Sequence, residues 1–135
     1  MKWKRFWLEI YPYNLYVCAE PNPKKVMDKI NDLGFSVLPK ERAELFAEHD
    51  NAACTIRLYD ADHFVSVLMY FRRLPTRNPT EIGHVAHECL HATNFIFMEA
   101  GVKTDPDNDE HQAYFLDYLI EKVLVYFWDY RETKR

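Results

Sequence analysis

A chain of 135 residues, 48% apolar and 16% aromatic, is sized for a single domain spanning 1–135 and is too apolar for intrinsic disorder. Its formal charge of -4 argues against nucleic acid as a main partner, and no run approaches the ~20 apolar residues of a membrane span. Cys18, Cys54 and Cys89 form no CxxC pair and no disulfide framework, and Met1–Glu9 lacks an apolar stretch of signal-peptide length, so the expected location is cytoplasmic.

Along the chain, Phe6 to Val17 alternates around Pro12 and reads as one strand or two short ones. Asn22-Pro23 opens a helix with Asn as cap and Pro as first residue. Val26, Ile30 and Leu33 form its apolar stripe, and Gly34 ends it. Lys40 to Glu48 reads as a short helix. Cys54–Tyr59 and Phe64–Phe71 are β-rich runs separated by Asp60-Ala61-Asp62-His63, the pattern of an antiparallel hairpin. The second run directly precedes the next helix and is the candidate sheet edge for an extended peptide. Asn78-Pro79-Thr80-Glu81 resembles a capping box and starts a helix that Gly101 terminates near Ala100. Asp105-Pro106 or Asn108 caps a last helix reaching about Trp128, and Arg131–Arg135 is a frayed end. The basic pairs near Lys4-Arg5 and Arg72-Arg73 read as solvated faces.

The helix over 79–100 contains His87-Glu88-Cys89-Leu90-His91, an HExxH pattern. Positions four apart share a helix face, with Cβ atoms roughly 5–6 Å apart, so the two imidazoles can close on one metal ion. Glu88 can then reach a metal-bound water, which gives a zinc site with its own general base. Val85, Ala86, Leu90, Ala92, Ile96 and Phe97 surround the opposite side, and a helix this apolar belongs in a core. Cys89 points away from the histidines and reads as a small core residue.

Three donors are needed. His84 lies seven residues before His91, roughly 10 Å along the axis, too far for three ligands about 2 Å from one ion. Glu110, in Asp109-Glu110-His111-Gln112-Ala113, is the better third ligand if the last helix packs antiparallel on the first. HExxH, eighteen residues, then a glutamate in an (N/D)-E-x-x-A segment is similar to the gluzincin zinc metallopeptidases, with the spacing of their aminopeptidase branch. The likeness covers Gly83 to about Ala113, and small stand-alone members of this group are known.

The resemblance implies an α+β, zincin-like domain: a short antiparallel sheet packed on two long helices that carry HExxH and the third ligand. It makes His87, His91 and Glu110 the Zn2+ ligands and Glu88 the catalytic base. The implied activity is peptide-bond hydrolysis, with a peptide or protein as substrate. The chain departs from the branch in having Asp109 where Asn is usual and in lacking the motif that grips a free amino terminus.

Other assignments rest on position. Tyr114, four residues beyond Glu110, is the candidate donor to the oxyanion. Asp117 and Asn94 are candidate partners for the ligands' second ring nitrogens. His111 is a candidate rim residue, and His49 and His63 read as loop histidines. A competing function is a non-catalytic binding module in which a structural zinc fastens two helices, with His84 or His111 as fourth ligand. A third is hydrolysis of a non-peptide amide, which the same chemistry serves.

Overall fold

The computed structural model describes residues 1–47 and 53–132; His49 and the tail 133–135 lie outside the described residues. The fold is α+β, with four strands and four helices in the order β1 (Lys2–Trp7), β2 (Asn14–Ala19), α1 (Pro23–Asp32), α2 (Pro39–Phe46), β3 (Ala53–Tyr59), β4 (Val65–Phe71), α3 (Pro79–Ala100) and α4 (Glu110–Glu132). The chain divides into two compact units, Met1–Arg73 and Leu74–Arg135.

The first unit is a four-stranded sheet in the order β1-β2-β4-β3. β1 pairs antiparallel with β2, from Lys2↔Ala19 to Trp7↔Asn14. β2 pairs parallel with β4, from Leu15↔Val67 to Ala19↔Phe71, and β3 pairs antiparallel with β4. The sheet is therefore mixed rather than antiparallel throughout. The parallel pair requires a crossover, and the chain between Ala19 and Val65 supplies it through α1, α2 and β3.

The Phe64–Phe71 segment is no edge, because β4 is paired on both sides. The reason is visible in its side chains. Val65-Ser66-Val67-Leu68-Met69-Tyr70-Phe71 has no polar alternation and is buried at every position, the signature of a central strand. The outer strands are β1 and β3. Lys2, Lys4 and Arg5 thus belong to an edge strand, where charge discourages pairing with other chains. The segment around Pro12 is the connection between two strands, and Leu8 N–H closes it by donating to the Tyr13 carbonyl at 2.9 Å.

Val26 and Ile30 of α1 and Leu45 of α2 pack with Tyr16, Ile56, Leu58, Leu68 and Tyr70 on one sheet face. α1 starts as expected, the Asn22 side chain accepting from Lys24 N–H, but Leu33 is its C-cap and is exposed. Gly34 follows at φ +83, in the left-handed region that a side chain would strain. The β3–β4 turn is held by Asp60 Oδ1, which accepts from Asp62 N–H at 2.8 Å and Phe64 N–H at 3.0 Å. His63 takes φ 66 in that turn and is the loop histidine expected.

α2 is tied to β3 by a buried ion pair. Glu41, 5% exposed, accepts from Arg57 Nε at 2.8 Å, lies 2.8 Å from Arg57 Nη2, and also accepts from the Arg57 backbone N–H. Both carboxylate oxygens are used, so the charge is compensated where it is buried.

In the second unit, Asn78 caps α3 by accepting from Thr80 N–H at 2.9 Å, with Pro79 next. Glu81 completes a variant of the capping box: it accepts from Thr76, while Asn78 N–H donates to Thr76 Oγ1 at 3.1 Å. Gly101 ends α3 at φ 73, with Val102 N–H donating to the Phe97 carbonyl at 2.9 Å. The closing turn Asp105–Asn108 precedes α4 but does not begin it. The first helical bond runs from Ala113 N–H to the Asp109 carbonyl, so Glu110 stands in the first turn.

α3 and α4 run antiparallel. Arg77, just before α3, lies 4.9 Å over the Trp128 ring near the far end of α4. Phe97 near the end of α3 meets His111 and Phe115 at 5.5 and 5.6 Å. Phe115, Leu119, Val123 and Phe127 recur every fourth residue and are all buried.

Candidate metal centre

α3 does not bury all round. Val85, Cys89, Ala92, Ile96 and Phe97 are buried, whereas His84, His87, Leu90, His91 and Asn94 are exposed. Leu90 is 41% exposed, which corrects its assignment to the buried side. At 100° per residue, 84, 87, 91 and 94 fall on one flank and 85, 89, 92 and 96 on the other. The histidine face is thus open while the apolar face anchors the helix.

His87 and His91 converge. Their Nε2 atoms are 3.1 Å apart and their ring centroids 4.8 Å apart. That separation suits an N–H···N hydrogen bond in the metal-free pair. It is also the spacing of two nitrogens each about 2.0–2.1 Å from one zinc ion, at an angle of about 100°. The i, i+4 spacing produces the convergence by itself, because both side chains leave one flank of a continuous helix. His84, a turn earlier, is exposed and outside this ring pair.

Glu88 is buried, 6% exposed, although both flanking histidines are open. Its charge has one visible effect. The neighbouring Cys89 thiol is pushed up to about 12, chiefly by burial and secondarily by Glu88. Cys89 therefore packs in the core as a protonated thiol.

The remaining site residues are more dispersed. Glu110 is exposed in the first turn of α4, and Tyr114 is 70% exposed one turn on. Asp117 is exposed. Among the described residues, no three His, Cys, Asp or Glu side chains are gathered closely enough to hold an ion. His87 and His91 are brought together; Glu110 is not within that set.

Two contacts instead join α3 to the start of α4. Gln112 Nε2 donates to Asn94 Oδ1 at 3.2 Å, and His111 stacks on Phe97 with 11° between ring planes. Asn94 thus spends its oxygen on Gln112 rather than on a histidine ring, and His111 packs on an aromatic rather than standing on a rim. Neither use was readable from composition, because each depends on how two helices meet. In the other unit Arg72 donates to the Ala47 carbonyl, a structural use of a residue read as solvated.

The chain matches no protein-family model, no curated protein and no solved structure. No helix among the described residues is long and apolar enough to cross a membrane.

Proposed function

We propose that the chain is a zinc-dependent hydrolase of peptide and related amide bonds, a small gluzincin-type metallopeptidase of zincin-like fold. The observation that carries this reading is the convergence of the His87 and His91 Nε2 atoms within an HExxH segment whose Glu88 is buried. Two neutral imidazoles and a carboxylate are a donor set zinc favours, and Glu110 is the carboxylate the HExxH spacing nominates. Bound there, zinc supplies a Lewis acid that polarises the scissile carbonyl and makes water acidic.

This chain's own residues then have distinct tasks. Glu88 accepts a proton from the water that attacks the carbonyl carbon and delivers it to the departing amine nitrogen. The Tyr114 hydroxyl donates to the oxygen on which negative charge develops. Its exposure leaves it able to meet a substrate. The exposure of His87 and His91 favours catalysis over a structural fastener, because a structural zinc is closed off by four protein ligands.

The test is hydrolysis of a quenched fluorogenic peptide library by the zinc-loaded chain. Cleavage is expected, lost on chelation and restored by added zinc. A zinc-loaded chain that cleaves no peptide and no model amide contradicts the proposal.

A further inference from the structure

The two outer strands of the sheet differ in what covers them. The chain itself closes the edge of β3: Ser36 N–H donates to the Tyr59 carbonyl at 2.8 Å, Tyr59 N–H donates back at 3.0 Å, and the Arg57 backbone N–H donates to Glu41. β1 has no such cover. Its pairing with β2 runs in register to Leu8, whose N–H donates to the Tyr13 carbonyl. Counting back by two from Leu8, Phe6, Lys4 and Lys2 turn their backbone groups toward β2, while Trp7, Arg5 and Trp3 turn theirs outward. Among the described residues, Trp3, Arg5 and Trp7 make no backbone bond on that outer side. Lys4, Arg5 and Trp7 are exposed, whereas β2, β3 and β4 expose no residue.

The charge on this edge is one-sided. β1 carries Lys2, Lys4 and Arg5 and no acid, in a chain whose formal charge is -4. Lys29 of α1 adds a further cation, 5.9 Å from the centre of the Trp3 ring. Lys4 and Arg5 form no ion pair among the described residues. A second copy of β1 is a poor partner, because antiparallel pairing centred on the strand sets Lys4 opposite Arg5, and like charges directly opposite destabilise. An acidic strand is attracted at both positions. We propose that β1 is a docking edge for an extended acidic segment of a partner protein, which adds to the sheet as a new outer strand. Successive side chains of a strand point to opposite faces, so the segment carries acids on adjacent residues, one opposite Lys4 and one opposite Arg5. Main-chain bonds to Trp3, Arg5 and Trp7 supply affinity, and the two cations select the sequence. β1 belongs to the unit Met1–Arg73, which does not contain the histidine pair, and the proposal holds with or without a metal.

The test titrates the full chain into a fluorescein-labelled peptide, Thr-Val-Glu-Glu-Val-Thr, and follows anisotropy. Saturable binding is expected, and it should weaken as salt is raised, since both cations are exposed. Lys4→Glu should weaken it about tenfold, and Lys4→Glu with Arg5→Glu should weaken it further. Circular dichroism checks that these variants keep the fold. The same peptide with its central amides N-methylated keeps its charge and loses its main-chain donors, and it should not bind. Absence of saturable binding overturns the proposal. Equal binding of the N-methylated peptide overturns strand addition, and equal binding of a peptide with Lys in place of Glu overturns the charge selection. Tighter binding of a labelled oligouridylate than of the acidic peptide also overturns it, in favour of a nucleic-acid surface.

Discussion

Replacing Glu88 by Gln is expected to leave zinc binding intact and slow amide hydrolysis by about 10²–10⁴-fold, the usual contribution of a positioned general base. Gln has the same length and keeps a carbonyl oxygen, so the space that the buried Glu88 side chain occupies stays filled. What it loses is the capacity to accept a proton. The loss should fall on kcat, because the proton moves during bond making rather than during substrate binding. Steady-state kinetics on a peptide cleaved by the natural chain, with zinc content measured in parallel, checks this. A Glu88→Gln variant that hydrolyses at the natural rate removes Glu88 from catalysis, and one that loses zinc assigns it a structural role.

The largest expected effect on stability is in the other unit. Arg57→Leu takes the guanidinium, with its two contacts of 2.8 Å, from the Glu41 carboxylate, which is 5% exposed and is left the backbone N–H of residue 57. Removing one partner of a buried pair typically costs 3–5 kcal/mol. The Arg57 side chain keeps 23% of its exposure, and water reaching it places the expected loss near the lower end, about 3 kcal/mol. For a chain of this length that is a drop of roughly 10 °C in melting temperature. The paired variant Glu41→Leu with Arg57→Leu should recover most of it, because an apolar pair leaves no charge to strand. Urea unfolding of the three variants decides the matter. A loss below about 1 kcal/mol in Arg57→Leu would show that water compensates Glu41.

The features legible in the sequence are those fixed within a few residues. Asn22 and Asn78 cap the helices they precede because an Asn oxygen reaches the N–H two residues on. Gly34 and Gly101 sit at the left-handed positions where helices stop. Asp60 closes the β3–β4 turn with its own side chain. The His87–His91 pairing belongs to this class, since a single helix imposes it.

Features that depend on distant partners were less legible. The β2–β4 pairing joins segments about fifty residues apart, and no local pattern announces it. An unbroken apolar run such as Val65–Phe71 does indicate a central strand, and the position of that run next to the α3 segment misled. The β1 strand begins at Lys2, earlier than alternation indicated, because an edge strand tolerates charge at successive positions. The Glu41–Arg57 pair has no sequence signature at all. The same distinction runs through the candidate site: the pairing of His87 and His91 follows from one helix, whereas Glu110 lies on another helix and is not gathered with them.

The central claim is that one chain binds one zinc ion through His87 and His91. Zinc-edge X-ray absorption on the loaded, purified chain tests it directly. The account predicts one zinc per chain, two imidazole nitrogens at about 2.0–2.1 Å with oxygen completing the shell, and loss of that signal in His91→Ala. A chain that takes up no zinc, or a spectrum unchanged by His91→Ala, would contradict it.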